Sequence, residues 1–430
     1  MLRKIIKFPL RQPRISGYLK RLYEEVRMEA RERSGPLTTV TEADPILCRP
    51  SQRQGDRLNL LVPALSIQHV FGGISTALDF FSQIAAGFDD LRIILTDQHD
   101  FRHEDNPSFL GWKIGDLGDE DAPGHWIVPA GNRYGRSLPV RRGDRFVATA
   151  WWTAISARAI QSWQLSHFNM ASPAKFIYLI QDFEPCFYPW SSQYALAEST
   201  YHYIDDVVAV FNSSLLKQFF DAEGYHFTTH YTFEPHLNKY LLAARSSAIR
   251  QKRDDRVLIY GRPGVARNAF EIIVMGLRLW VSQNPNANWS FVSAGEPHAS
   301  IELGHGKTLT SLGKLSLDEY AKELGRCRVG ISLMISPHPS YPPLEMTAFG
   351  LQVITNHYKT KNLSLLSNRI HSIETVAPDA IAQALDELMH RPVMFKSEFF
   401  PDDHVWQNYL EGNAEFSEMR IPILKSIFKV

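Results

Sequence analysis

Residues 329–356, VGISLMISPHPSYPPLEMTAFGLQVITN, limit what this chain can fold into more than any other stretch. Residues 329–334 are an apolar run of the kind that forms a strand buried on both faces. Pro337, Pro339, Pro342 and Pro343 then forbid regular structure until the last of them serves as the first residue of a helix. That helix, near residues 344–349, is ended by Gly350, and residues 351–355 read as the next strand. Glu345 is thereby expected in the first turn of a short helix at the carboxyl end of a buried strand. Ligands of open α/β sheets bind there, because loops diverge and helix N-termini offer free N–H groups. A nucleotide is expected at this place.

The rest of the chain repeats that grammar. Strands are expected at 58–65, 91–96, 125–128, 145–150, 175–181 and 206–211, with helices at 74–86, 153–163, 193–201 and 213–223. A linker over 234–254 precedes a restart: strands at 256–260, 289–293 and 307–312, and helices at 268–282 and 378–389. Ser316 and Glu319 form a capping-box pattern that opens a helix to about Gly325. Strand–helix alternation in both halves predicts an α/β chain of two Rossmann-like, doubly wound parallel sheets facing across a cleft. The boundaries are a basic extension and loop-rich connector (1–55), an N-terminal acceptor domain (56–240), a C-terminal nucleotide-sugar domain (241–400) and a helical tail (401–430) whose helix returns towards the first domain.

Composition excludes several classes. With 46 basic and 46 acidic side chains the formal net charge is zero, which favours neither nucleic acid nor a membrane for the chain as a whole. Cys48, Cys186 and Cys327 are distant and odd in number, which fits a reducing cytoplasm, and no Cys/His spacing suggests zinc. No run is long and apolar enough to span a bilayer, and no signal-peptide core is evident. Residues 1–35 depart from neutrality, with ten bases against four acids interleaved with Leu2, Ile5, Ile6, Phe8 and Leu10. Two readings stand: a peripheral anchor on the anionic inner face of the cell membrane, or a solvated helix over 15–33 packed on the first domain.

Three groups of residues carry chemistry. Arg262 and Arg267 leave the turn between a buried strand and a helix, where guanidiniums and backbone N–H groups can neutralise a diphosphate as it departs. Gly72 and Gly73 follow the first strand and let the backbone approach an anion or a sugar closely; the pattern is neither GxGxxG nor a P-loop. Tyr341, Leu344 and Glu345 form the third, with the carboxylate placed to accept two ribose hydroxyls or to complement the helix dipole. Gln181, Asp182 and Glu184 follow a strand end, and Trp151, Trp152, Phe183, Phe187, Tyr188 and Trp190 supply aromatic faces for sugar rings or for a core. His69 and His338 are candidate phosphate or sugar contacts. No DxD stands at a strand end, so no catalytic metal and no cofactor are expected. No carboxylate pair suggests a glycosidase.

These residues resemble a known family. The second half is similar to the C-terminal domain of the retaining GT-B glycosyltransferases of family 4. Arg262 matches the family's arginine, and Arg267 stands where a lysine is usual five residues later. Glu345 matches the second acid of a Glu-x7-Glu motif, and Pro337 occupies the place of the first. The loop at Gly72 and Gly73 matches the family's N-terminal donor loop. YLIQDFEPCFYPW (178–190) and SLMISPHPSYPPLEMTAFG (332–350) look like the WsaF-type rhamnosyltransferases of bacterial surface-glycan assembly, a similarity that covers most of 58–400.

The resemblance implies retaining transfer of L-rhamnose from dTDP-L-rhamnose to an oligosaccharide or lipid-linked glycan. Arg262, Arg267 and Gly73 would meet the diphosphate, Glu345 the ribose, Tyr341 the diphosphate or sugar, and Lys314 the base or phosphates. The acceptor would lie against Gln181, Asp182 and Trp151. Two alternatives keep the fold: a mannosyl or glucosyl donor, or a non-catalytic glycan-binding module.

Overall fold

The computed structural model describes residues 40–66, 72–391, 404–411 and 416–428. The chain divides into a unit of residues 1–44 and a unit of residues 45–430. In the first, the described residues form one 3-10 turn, Thr41–Ala43. The basic segment 1–35 with its expected helix, and His69 with the apolar pair Val70 and Phe71, lie outside the described residues.

The second unit is built on two large sheets. Its first half contributes β1 (Leu47–Pro50), β2 (Asp56–Val62), β3 (Leu91–Leu95), β4 (Lys113–Ile114), β5 (His125–Pro129), β6 (Ser137–Val140), β7 (Gly143–Ala148), β8 (Phe176–Ile180), β9 (Val207–Phe211) and β10 (His230–Thr232). Eight of these make one sheet in the order β10-β9-β8-β7-β2-β3-β5-β4, every neighbour parallel, while β1 and β6 pair apart from it. The second half contributes β11 (Asp254–Gly261), β12 (Ser290–Gly295), β13 (Ile301–Gly304), β14 (Lys307–Ser311), β15 (Cys327–Ile331), β16 (Gln352–Asn356) and β17 (Ile370–Ile373), in the order β13-β14-β12-β11-β15-β16-β17. Only the β13–β14 pair of this sheet is antiparallel.

Strands such as β3, β8 and β9 are buried at every position, as parallel strands covered by helices on both faces must be. In each sheet the chain builds outward from its first long strand and then crosses to the other side. The crossing leaves a switch point between the carboxyl ends of β2 and β7 in one sheet and of β11 and β15 in the other. Every candidate site segment described here leaves a carboxyl end of one of these strands or of its neighbours.

Local chemistry accounts for the helix boundaries. Ser213 caps the helix Ser214–Ala222 by accepting from Leu215 N at 3.2 Å. The capping box closes as expected, with Glu319 N to Ser316 Oγ at 3.3 Å and Ser316 N to Glu319 Oε2 at 2.9 Å. The expected linker 234–254 instead holds a helix, Lys239–Ala248, capped by Asn238 and anchored by Leu241 and Ala248 in the second domain's core. Its polar sequence hid it, because only those few positions face inward. The connector 34–55 is likewise not all loop, since β1 pairs there with β6.

At the amino edge of the first sheet, away from the candidate site, Arg57, Arg92 and Arg141 converge on Asp144 and Asp121. Arg57 Nε lies 2.7 Å from Asp144 Oδ1, and Arg141 Nε lies 2.7 Å from Asp121 Oδ2. Burial opposes ionisation of Asp144, but Arg57 and Arg92 together hold its carboxyl below the usual range. Each member is paired, which marks a structural network.

The chain passes between the halves twice. Phe233 lies in the first domain's core and Leu237 in the second's. The tail helix His404–Glu411 sets Trp406 and Tyr409 into the second core, and the helix Phe416–Phe428 returns Phe416, Ile423 and Ile427 to the first. Phe416 stands edge-on to Phe80 and Phe233, with centroids 5.5 and 4.6 Å away. Phe416→Ala is expected to cost about 3–5 kcal/mol, read from the urea midpoint; a loss under about 1 kcal/mol would mean the tail is not part of this core.

Candidate active site

The loop that joins β15 to the helix Tyr341–Ala348 is the centre of the site. Its prolines supply no N–H donors, so its remaining polar groups are held by neighbours. Met334 O accepts from Lys361 Nζ at 2.6 Å and from Asn356 Nδ2 at 3.0 Å, and Met334 N donates to Asn356 Oδ1 at 2.7 Å. Ile335 N donates to Arg267 O at 2.7 Å, which ties the loop to the turn after β11. Ser336 Oγ donates to Asp182 Oδ1 from the first domain, and His338 N donates to Ser336 Oγ at 3.2 Å. Ser340, at φ +69°, turns the chain into the helix.

The helix begins three residues earlier than the sequence suggests, at Tyr341, with prolines in its first turn. Glu345 is therefore beyond the first turn, which corrects the expectation of a carboxylate on the free N–H groups. It lies instead among tyrosines. Burial pushes its carboxyl up to about 7, and Tyr320 is the polar side chain acting on it. Tyr260, Tyr341 and Tyr409 also feel its charge. The hydroxyls of Tyr320 and Tyr409 are buried with no hydrogen-bond partner among the described residues. Such unsatisfied groups beside an acid leave hydrogen-bonding capacity for a ligand.

The two arginines part company. Arg262 Nε lies 3.3 Å from Glu296 Oε1, and Tyr260 adjoins the same guanidinium. Glu296 also accepts from Gly264 N at 2.7 Å. The close pass of the two strand ends requires glycine: a Cβ on Gly295, at φ +141°, would lie 2.4 Å from Gly261 O. Arg267 faces the other domain instead. Its guanidinium lies 4.2 Å from the Phe187 ring centroid, and its Nε is 3.9 Å from Asp182 Oδ2. That Nε is buried without a hydrogen-bond partner among the described residues.

Tyr341 joins the two groups. Its hydroxyl meets Thr76 Oγ1 at 3.2 Å, on the helix Gly73–Ile84 of the first domain, and its ring lies 5.5 Å from that of His338. Gly72, at φ +50°, precedes that helix, and a Cβ on Gly73 would lie 3.2 Å from Gln181 Oε1. The expected donor glycine and acceptor glutamine are thus neighbours. Lys314 is exposed, just after β14, at the same carboxyl edge of its sheet.

Two expected contacts are corrected by burial. Leu344, 4% exposed, packs in the second core, so its side chain offers no ligand surface. Trp151 is fully buried; its Nε1 donates to Tyr188 OH at 3.0 Å, and its backbone N donates to Glu184 Oε2 at 2.6 Å. It therefore supports the acceptor side without presenting a face to it. Burial pushes the Glu184 carboxyl up to about 8 and the Lys361 ammonium down to about 7. Lys361, Glu296, Ser336, Tyr320 and Tyr409 escaped sequence reasoning, since nothing near them in the chain signals that they converge here.

The whole architecture has counterparts among solved structures. A glycosyltransferase from Rickettsia africae superimposes with TM-score 0.53 at 13% identity, over 87% of this chain and 99% of that one. A UDP-forming α,α-trehalose-phosphate synthase from Burkholderia vietnamiensis gives TM-score 0.53 at 9% identity, over 88% of this chain and 100% of that one. The fold and site therefore define a GT-B glycosyltransferase. Residues 57–214 match the model of the WsaF N-terminal domain and residues 255–386 that of the WsaF C-terminal domain, and the chain belongs to the WsaF family. It is also similar to the O-antigen biosynthesis protein RfbC of Myxococcus xanthus, at 31% identity over 217 residues. That match takes in 50% of this chain and 16% of RfbC, so the chain spans a small part of that relative's length.

Glu345 gives a test of this geometry. A carboxyl raised above its unfolded value stabilises the fold while protonated, and that stability is lost as pH rises through about 7. The thermal midpoint of Glu345→Gln is expected to gain on wild type as pH goes from about 5 to about 8. A pH-independent difference would place the carboxyl in water.

Proposed function

We propose that this chain moves L-rhamnose from dTDP-L-rhamnose to a glycan acceptor, with retention, in the assembly of a surface polysaccharide. The observation that carries the reading is Arg267: a guanidinium at the domain boundary, its Nε buried without a hydrogen-bond partner, beside a carboxylate of the opposite domain. A departing diphosphate supplies the charge that such a group lacks. Arg262 and the backbone of Gly73 would share it, and Lys314 would reach the phosphates or base. Glu345 and its tyrosines would hold the ribose. Gln181 and Asp182 would meet the acceptor.

In this scheme the bond from the sugar's anomeric carbon to the phosphate oxygen breaks and its electron pair stays with the phosphate. The acceptor oxygen bonds to that carbon on the same face, and its proton passes to the leaving phosphate oxygen. The name of the Myxococcus relative, an O-antigen biosynthesis protein, supports a polysaccharide product.

Thermal-shift and sugar-release screening against dTDP-, UDP- and GDP-sugars, without added metal, tests the donor. Response to dTDP-L-rhamnose alone is expected, and Arg267→Ala should then lose turnover by more than about 100-fold with its thermal midpoint kept. Response to a UDP- or GDP-sugar would reassign the donor to glucosyl or mannosyl transfer. Binding without turnover would favour a glycan-binding module.

The reading includes peripheral contact of residues 1–35 with anionic lipid, supported by their ten bases against four acids. No helix among the described residues is long and apolar enough to cross a membrane. Deleting residues 1–35 is expected to abolish sedimentation with phosphatidylglycerol liposomes; unchanged sedimentation would remove this part of the reading.

A further inference from the structure

His338 is 6% exposed and held in one orientation. Ser340 N donates to its Nδ1 at 3.0 Å, so in the neutral ring the proton sits on Nε2. Tyr341 lies against the ring at 60° and fixes its plane. Nε2 is buried and has no hydrogen-bond partner among the described residues. A rigid N–H in that condition has lost water and gained nothing, which native interiors rarely tolerate.

The surroundings indicate what it awaits. Arg267, Lys361 and Asp182 are the charged groups whose fields reach the ring, so it stands where the facing edges of the two domains meet. Burial is the main cause that lowers its basicity to about 4, with Lys361 and Arg267 adding to it against Asp182. The imidazole therefore stays uncharged at neutral pH, and cations for a diphosphate are already present beside it. An uncharged donor suits an uncharged oxygen. Next to a diphosphate, that oxygen belongs to the sugar.

We propose that His338 is a donor-sugar reader, giving its Nε2–H to a hydroxyl of the glycosyl group. The assignment rests on the nucleotide-sugar reading above and extends it to a residue that selects the sugar. His338 does not need to gain or lose a proton in this role; it positions the transferred group.

Titration calorimetry on wild type, His338→Leu and His338→Gln tests it. The ligands are whichever of dTDP-L-rhamnose, UDP-glucose or GDP-mannose stabilises wild type, and the matching nucleoside diphosphate. His338→Leu is expected to bind the diphosphate within about twofold of wild type and to lose about 10- to 100-fold for the nucleotide sugar. The glutamine variant, which keeps an N–H, should recover part of that loss. In wild type, the His338 Nε2–H resonance should shift on adding the nucleotide sugar and not on adding the diphosphate, a readout that needs no variant. Equal losses for both ligands, no loss for either, or a resonance that answers to both alike would overturn the assignment while leaving the transferase reading intact. Failure of wild type to bind any of the nucleotide sugars would overturn both.

Discussion

A loop with prolines at 337, 339, 342 and 343 cannot hydrogen-bond itself into shape, so its shape is imposed by what surrounds it. Here the imposing group is a buried lysine. Lys361 is fully enclosed and spends its ammonium on Met334 O, while Asn356 grips the same residue through both its N–H and its C=O. Enclosing an amine is costly, and burial accordingly lowers its basicity to about 7. What that cost maintains is the path of the next seven residues. Along that path Ser336 meets Asp182, His338 presents its ring, and Tyr341 reaches Thr76. The site follows from that anchoring.

The electrostatic division of the site has the same origin. Arg262 and Arg267 are close in sequence, yet the 3-10 turn Ala266–Asn268 sends the second one outward to the other domain while the first stays against Glu296. One guanidinium belongs to the second domain alone and the other to both. Tyr341 is the side chain that touches both neighbourhoods, through Thr76 and His338 on one side and the field of Glu345 on the other. A ligand laid along this line would meet a carboxyl with its tyrosines at one end and a histidine and arginine at the other.

The sequence revealed what periodicity and punctuation can encode. Buried strands such as residues 176–180 and 207–211 announce themselves as unbroken apolar runs, and the Ser316 capping box and the helix Pro378–Met389 are local signals that local structure obeys. The helix Lys239–Ala248 was illegible because too few of its positions are apolar. Glu345 was misplaced within its helix because Tyr341 and Pro342 read equally well as loop. In the site, arginines and glycines at strand ends were legible from position alone. Glu296 and Tyr409 were not, because their meeting with Arg262 and Glu345 depends on register between distant segments, which no local pattern records. Trp151 misled for the opposite reason: aromatic residues at a strand end suit a core and a sugar platform equally, and only burial separates them.

The two passages of chain between the domains run side by side. Phe233 of one packs on Phe416 of the other, and Leu237 N donates to Tyr409 O at 2.9 Å on the far side. Two parallel straps fastened together at both ends behave as a leaf hinge. They bend readily about the line across them and resist torsion along their length. Separation of the domains is thereby confined to a book-like swing, with little twist. Each time the leaves shut, Thr76 comes back opposite Tyr341 and Asp182 opposite Ser336, in the alignment they had before.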